Sequence, residues 1–408
     1  MVDSPPQNLR NLTVEEARRR ILADASRLGV EPAPLAESFG RVLAETISAS
    51  RAQPPFDASA MDGWAIRHGD YAPGAPFRIV GESAAGAAYP RPVGPMEAVR
   101  IFTGAPMPAN ADLVIIQEEA TREGDEVRFQ AGQDPRRNVR PAGGDFKPGD
   151  TLLDAGVTLD PWRLSLIAAA GRAEVSVARR PRVAILATGD ELAPPGATPR
   201  PDQIFESNSF SLAALVQGWG GEAVRLSAQA DNAEAIAVAV ARVEADLIVT
   251  IGGASVGDYD LVKPALASLG LMLSVESVAL RPGKPTWSGR LPDGRRVLGL
   301  PGNPASSLVC AELFLRPLLA ALTGAPADSR LVPACLAISL PAGGPREHWM
   351  RASLSTDPEG RTLVTPFPDQ DSALVAVFAR ADALLRRQVG APSAVPGDLV
   401  EVLPLRRG

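Results

Sequence analysis

The chain has 408 residues, 45% hydrophobic and 22% charged, a mixture that buries real cores over about two to four domains and excludes disorder as the main state. A net charge of −6 argues against nucleic acid as a partner, and two histidines and two cysteines leave little for a zinc site, a disulfide framework or Ser-His or Cys-His catalysis. No apolar run reaches the ~18 residues of a membrane span, because residues 304–321 are broken by Glu312, Arg316 and Pro317, and the N-terminus lacks a signal-peptide core, so a cytoplasmic protein with no membrane partner is expected.

In chain order, residues 13–29 read as a helix. Thr13 and Glu16 form a capping box, Val14, Ala17, Ile21, Ala25 and Leu28 recur at helical spacing, and Gly29 stops it. Residues 30–52 continue as short extended pieces. Residues 53–146 read as β-rich, with apolar runs at 98–102 and 113–117 between turn clusters. Residues 160–171 form a second helix, capped by Asp160, with Pro161 at its first position.

Beyond Arg182 strands and helices alternate. Strands fall at 183–187, 223–227, 247–251, 273–279 and 297–300, and helices at 209–217, 232–243 (after an Asp231 cap), 260–269 and 305–322. Such alternation implies a mostly parallel sheet covered on both faces. Beyond Ala327, short strands at 336–340, 349–354, 363–366, 374–378 and 399–403 have the spacing of a small β-barrel.

Ligands of an open parallel sheet bind beyond the carboxyl ends of its strands. Four unusual segments fall at that edge: TGDEL, GGASVGDYD, RPGKP and LPGNPASS. Gly252, Gly253 and Gly257 let backbone approach a ligand, and Ser255 adds a hydroxyl. Gly302–Ser307 opens a helix, whose amides suit an anion. Only three lysines exist among 41 basic residues, and Lys284 stands beside Arg281 on a loop stiffened by Pro282 and Pro285. Asp190, Glu191, Asp258 and Asp260 offer hard oxygen ligands, so a phosphate-bearing ligand with Mg²⁺ is indicated. Taken singly, each has a plainer reading. Asp190 and Asp258 serve as caps, the glycines as packing residues, and Pro301 and Pro304 as shapers of a turn. Cys310 reads as core, Cys335 as a strand residue, and Arg386–Arg387 as a solvated pair. In the first half, Ser59–Trp64, Thr103–Pro106 and residues 140–150, which hold Asp145 and Lys147, read as turns. Residue chemistry alone singles out none of them as catalytic.

The strings PPFDASAMDGWA, RIFTGAPMPANAD, ATGDEL, TIGGASVGDYD, RPGKPTWSG and LPGNPASSLV, in this order over nearly the whole chain, resemble the molybdopterin molybdenumtransferase family, that is, bacterial MoeA and the E domain of gephyrin. The resemblance implies an α/β plus β multidomain fold. An elongated dimerisation segment would span 1–52 and 147–177, an inserted β-rich domain 53–146, a three-layer α/β molybdopterin-binding domain 178–326 and a C-terminal β-barrel domain 327–408. It implies a homodimer with the active site across the subunit interface, and insertion of molybdenum from molybdate into adenylylated molybdopterin with release of AMP and a Mg²⁺ requirement. Carried over, Arg281 and Lys284 bind molybdate, with Arg351 and Ser372 as further anion ligands. Glu191 and Asp260 bind Mg²⁺. Asp62, Thr103 and Asp145 act from the inserted domain. Gly252, Gly253, Ser255, Asp231, Pro301, Pro304 and Ser306 complete the cofactor-binding set. Partners implied are a molybdopterin adenylyltransferase and apo-molybdoenzymes or their chaperones. Trp64 replaces a commoner Tyr, and Arg281 replaces a Lys found in some members. Two rival readings are a nucleotide pyrophosphatase or deamidase sharing only the α/β domain, and a non-catalytic scaffold.

Overall fold

A computed structural model describes residues 8–131, 137–227, 232–252, 261–326 and 331–405. The first helix, Val14–Leu22, begins at its predicted cap, with the Glu16 N–H donating to Thr13 Oγ1 at 3.1 Å. Val14, Ala17 and Ile21 face inward and pack with Val183 and Ile185. The start of the 1–52 stretch therefore sits on the α/β core. From Val30 onward the chain forms a separate unit, in which Val30–Pro34 pairs antiparallel with Glu174–Ala178, and Ile47–Ser48 with Thr151–Leu153. Leu43, Ile47, Leu159, Ile167 and Val177 fill its interior. The helix Pro161–Ala169 is capped as read, Asp160 accepting from the Arg163 N–H at 2.8 Å.

The chain leaves this segment at Gln53 and returns at Phe146, and those two residues bridge. The excursion folds into a six-stranded sheet in the order Leu113–Ile116, Gly63–Ile66, Glu97–Ile101, Pro76–Ser83, Glu126–Phe129, Ala120–Glu123. Alternation puts Trp64 and Ile66 on one face and Ala65 on the other, so each face carries its own apolar cluster.

The α/β sheet runs Glu222–Arg225, Arg182–Ala187, Leu247–Ile251, Arg296–Leu300, Trp287–Arg290, Met272–Val275. Its first four strands are parallel. Val183 and Ile185 face one layer, Ala184 and Leu186 the other, which is why this strand reads as a continuous apolar run. Trp287–Arg290 is an antiparallel strand that the sequence reading missed. The segment WSGR offers one apolar side chain and a glycine, too little pattern to register. The strand expected over 273–279 is shorter, Met272–Val275, and Leu280–Arg281, just beyond the expected range, pairs with Glu347–Thr356 of the C-terminal sheet.

The long helix spans Pro304–Thr323 and widens to a π turn at Ala311–Leu315, next to the N–H-less Pro317. It is the one described helix long and apolar enough to cross a membrane, but 72% of its apolar window is buried in the fold. The C-terminal sheet closes on itself as a five-stranded barrel, Glu347–Thr356 pairing with both Thr362–Pro366 and Ala383–Arg387. Two expectations are corrected here. The apolar run at 374–378 forms a helix, Val375–Arg380, because Phe378 packs outward onto the α/β core instead of entering the barrel. Arg387 is buried, donating to the carbonyls of Pro341 and Pro392, and is not a solvated residue.

Candidate functional site

Three adjacent parallel strands deliver their loops to one rim. The Thr188 N–H donates to Ile251 O at 3.0 Å, and the Gly252 N–H to Leu300 O at 3.2 Å. A Cβ on Gly252, at φ +91°, would lie 2.7 Å from the Thr188 carbonyl oxygen, so only glycine allows this approach. Asn208 Nδ2 donates to Gly302 O at 2.7 Å and ties the third loop to a neighbouring helix. Glu191 is exposed beside Gly189 on the first loop. Asp231, Gly253, Ser255, Asp258 and Asp260 lie outside the described residues.

The RPGKP loop reaches the same rim between Met272–Val275 and Trp287–Arg290. Gly283, at φ +118°, rests directly on the core: a Cβ there would stand 2.3 Å from Cys310 Sγ. Burial pushes that thiol up to about 12, so Cys310 is a packing group and not a nucleophile. The Thr286 hydroxyl donates to Gly283 O at 2.8 Å and fixes the turn.

Above this loop, where the barrel meets the α/β rim, lies a cavity of about 400 Å³. Arg281, Lys284, Pro301, Asn303 and Ser306 line it from one side, and Arg346, Gln370, Asp371 and Ser372 from the barrel side. Asn303 Nδ2 donates to Ser372 Oγ at 2.8 Å, and the Ala305 N–H to Ser372 O at 2.9 Å, so the barrel segment caps the start of the long helix. Arg351 stands behind the wall, 1% exposed, bonded to Gln370 and to Asp371 O. Its Nη2 is buried with no partner. Pro304 opens the helix but does not line the cavity.

Several arginines elsewhere are paired with carboxylates, as in Arg179–Asp246 at 2.7 Å and Arg386–Glu347 at 2.8 Å. Among the described residues, Arg281, Lys284, Arg346 and Arg351 are in no ion pair. His348 lies opposite Arg281 in strand register, and burial, with Arg281, Arg351 and Arg346 adding to it, pulls its imidazole down to about 4. It is neutral at physiological pH. Arg281, Lys284 and Arg346 are exposed and Arg351 is buried, and this gathering of cations favours an anion in the cavity.

A second cluster forms in the inserted domain. Asp62 Oδ1 accepts from the Thr103 N–H at 2.7 Å and from the Thr103 hydroxyl at 2.9 Å. These two donors, with Arg100 beyond, hold its carboxyl below the ordinary range. The strings around them interlock: the Gly104 N–H donates to Ser59 O, the Ala60 N–H to Asn138 O, and the Ala142 N–H to Asp57 Oδ1. Asp145 is exposed on the third string, its N–H donating to Gln53 O.

Asp62 and Thr103 thus touch, and Arg281, Lys284, Ser306 and Ser372 share one cavity. Arg346 and Gln370 were missed by the sequence reading. They enter the site only because a barrel strand pairs with the RPGKP segment, and no local pattern encodes that pairing. Among the described residues no three His, Cys, Asp or Glu side chains gather as a metal cage.

Family models match along the chain. Residues 12–171 match the MoeA N-terminal region (domain I and II), residues 184–321 a probable molybdopterin binding domain, and residues 333–405 the MoeA C-terminal region (domain IV). A molybdopterin molybdenumtransferase of Haemophilus influenzae is 32% identical over 399 residues, spanning 96% of this chain and 98% of its own length. Molybdopterin molybdenumtransferase 2 of Mycobacterium tuberculosis is 36% identical over 383 residues, spanning 90% of this chain and 91% of its own. The crystal structure of the MoeA molybdopterin biosynthesis protein of Pyrococcus horikoshii superposes with a TM-score of 0.81 at 29% identity, covering 98% of this chain and 100% of that one.

Proposed function

This chain belongs to the molybdopterin molybdenumtransferase family, and from that membership we infer that it makes molybdenum cofactor by inserting molybdenum into molybdopterin. In the finer reading its substrates are adenylylated molybdopterin and molybdate, and AMP is released. The observation that carries this reading is the cavity whose cations have no carboxylate partners in the described residues. Molybdate and the substrate's pyrophosphate repel one another, so cations and N–H donors must hold both.

Arg281, Lys284 and Arg346 supply charge at the cavity wall, with Arg351 behind them. Ser372 Oγ already accepts from Asn303, which leaves its proton free to donate to an oxyanion. Ser306 adds a second hydroxyl. Gly252, Gly253, Ser255, Asp231, Pro301 and Pro304 shape the molybdopterin side. The exposed Glu191 carboxylate, with no metal cage among the described residues, suits a Mg²⁺ ion carried mainly by the substrate's phosphates, with Asp260 as its proposed second ligand. When bound, that ion would neutralise phosphate charge and favour departure of AMP. Asp62, held ionised by Thr103, and Asp145 belong to the same chemistry if the inserted domain of one subunit faces the cavity of a second. We therefore propose a homodimer with shared sites, in the cytoplasm, receiving substrate from an adenylyltransferase and passing product to apo-molybdoenzymes or their chaperones.

The test is AMP release from adenylylated molybdopterin by the purified chain. Release that depends on molybdate supports the reading. Hydrolysis indifferent to molybdate would overturn it in favour of a pyrophosphatase.

A further inference from the structure

Arg351 is almost wholly buried, yet no carboxylate pairs with it among the described residues. Its partners are an amide and a carbonyl. Gln370 Oε1 accepts from the Arg351 N–H at 2.9 Å and from Nε at 3.2 Å, and Asp371 O accepts from Nη1 at 2.8 Å. Gln370 Nε2 in turn donates to Arg351 O at 2.9 Å and Phe367 O at 2.8 Å. Every polar atom of the Gln370 amide is thus used to hold Arg351 and its strand. Gln370 itself lines the cavity. The nearby carboxylates are engaged with backbone, Asp369 Oδ1 with the Asp371 N–H at 2.9 Å and Asp371 Oδ1 with the Ala373 N–H at 2.8 Å. What remains of Arg351 is a buried, unpartnered Nη2 and a charge that Asp369 and Asp371 offset only from a distance, without an ion pair.

A glutamate would keep an acceptor for Arg351 Nε, but its second oxygen would face the Arg351 and Phe367 carbonyls and its charge would cancel that of Arg351. An apolar residue would leave the charge and lose the grip. We propose that Gln370 is a positioning residue whose neutral amide fixes Arg351 without adding a further negative charge, so that its positive charge acts on an oxyanion in the cavity, an inference that rests on the anion-binding reading above. Burial lowers the affinity of this guanidinium for its proton, a penalty that an arriving anion relieves.

The experiment compares the full wild-type chain with Gln370→Glu and Gln370→Met, titrating each with sodium molybdate by calorimetry and measuring thermal unfolding in parallel. Gln370→Met loses the amide contacts but adds no charge, so Gln370→Glu is expected to bind molybdate more weakly than Gln370→Met and about tenfold or more below wild type. In the steady state, its defect appears in KM for molybdate and not in KM for the adenylylated substrate. A brace with no electrostatic role would give Gln370→Met an affinity no better than that of Gln370→Glu, and would overturn the proposal. If Gln370→Met fails to fold, the Glu variant decides alone, since wild-type affinity in it refutes the idea. Wild-type protein that binds no molybdate would instead remove the anion-binding reading itself, a distinguishable failure.

Discussion

Lysine is nearly absent from this chain, and one of its three copies lines the charged cavity while remaining exposed on a loop of fixed shape. A compact ammonium and a planar guanidinium are not interchangeable in such a place. Lys284→Ala should therefore lower molybdate-dependent AMP release by about tenfold or more, and Lys284→Arg should recover only part of it. Steady-state assay of both variants checks this, and full activity of the alanine variant would remove Lys284 from the site. At Asp62 the expectation concerns protonation. Its carboxyl is depressed by the Thr103 N–H first and the Thr103 hydroxyl second. A depressed carboxylate contributes stability above its unfolded pKa and loses it as pH falls through the folded value. Thr103→Val removes the hydroxyl donor but keeps the N–H, so the Asp62 titration should move upward toward the ordinary range. A carbon-detected NMR titration of the side-chain carboxyl reads this directly. Asp62 and Thr103 were legible in the sequence only through resemblance, because an Asp–Gly turn and a Thr–Gly turn are ordinary by their chemistry.

At the scale of elements, the parallel strands were legible because both faces are buried and the apolar runs are unbroken. The antiparallel strand Trp287–Arg290 was not, because its fit depends on a glycine in the neighbouring strand Arg296–Leu300. Trp287 lies across Gly299, where a Cβ would come within 2.0 Å of the indole. Gly299→Ala should cost about 1–3 kcal/mol or more by overpacking, measured by denaturant unfolding. The long helix carries a pH signature of its own. Burial pushes Glu312 up to about 7, against the pull of Arg316 at 3.4 Å. An acid whose pKa is raised on folding binds more protons in the native state. Stability therefore falls as pH climbs from the ordinary carboxylate range through about 7. Glu312→Gln should abolish that loss, on the order of 3 kcal/mol, and gain on wild type at pH 8 but not at pH 5. Equal melting temperatures of the two proteins at both pH values would contradict it.

Across the whole molecule, the cavity exists because the chain passes from the α/β sheet at Met272–Val275 into the C-terminal sheet at Leu280–Arg281 within a few residues. The Asp62 cluster sits on a separate six-stranded sheet, reached through the Gln53–Phe146 neck. If the proposed dimer completes each site with the inserted domain of its neighbour, two inactive variants should rescue one another. Co-expressed Asp62→Ala and Lys284→Ala chains, mixing at random, should recover about a quarter of wild-type activity, since half the dimers are mixed and each holds one intact site. Persistent inactivity of the mixture would place both clusters in one subunit. By itself the sequence determined the elements with strong periodicity, the acidic, zinc-poor character of the chemistry and the rim on which anion-binding loops gather. Local spacing and side-chain type are enough for those. Only the tertiary structure decided that Arg346 and Gln370 join Arg281 and Lys284, that Cys310 supports Gly283 from beneath, and that residues 375–380 coil as a helix. Each depends on which distant surface a short segment meets, and nothing in its own composition carries that information.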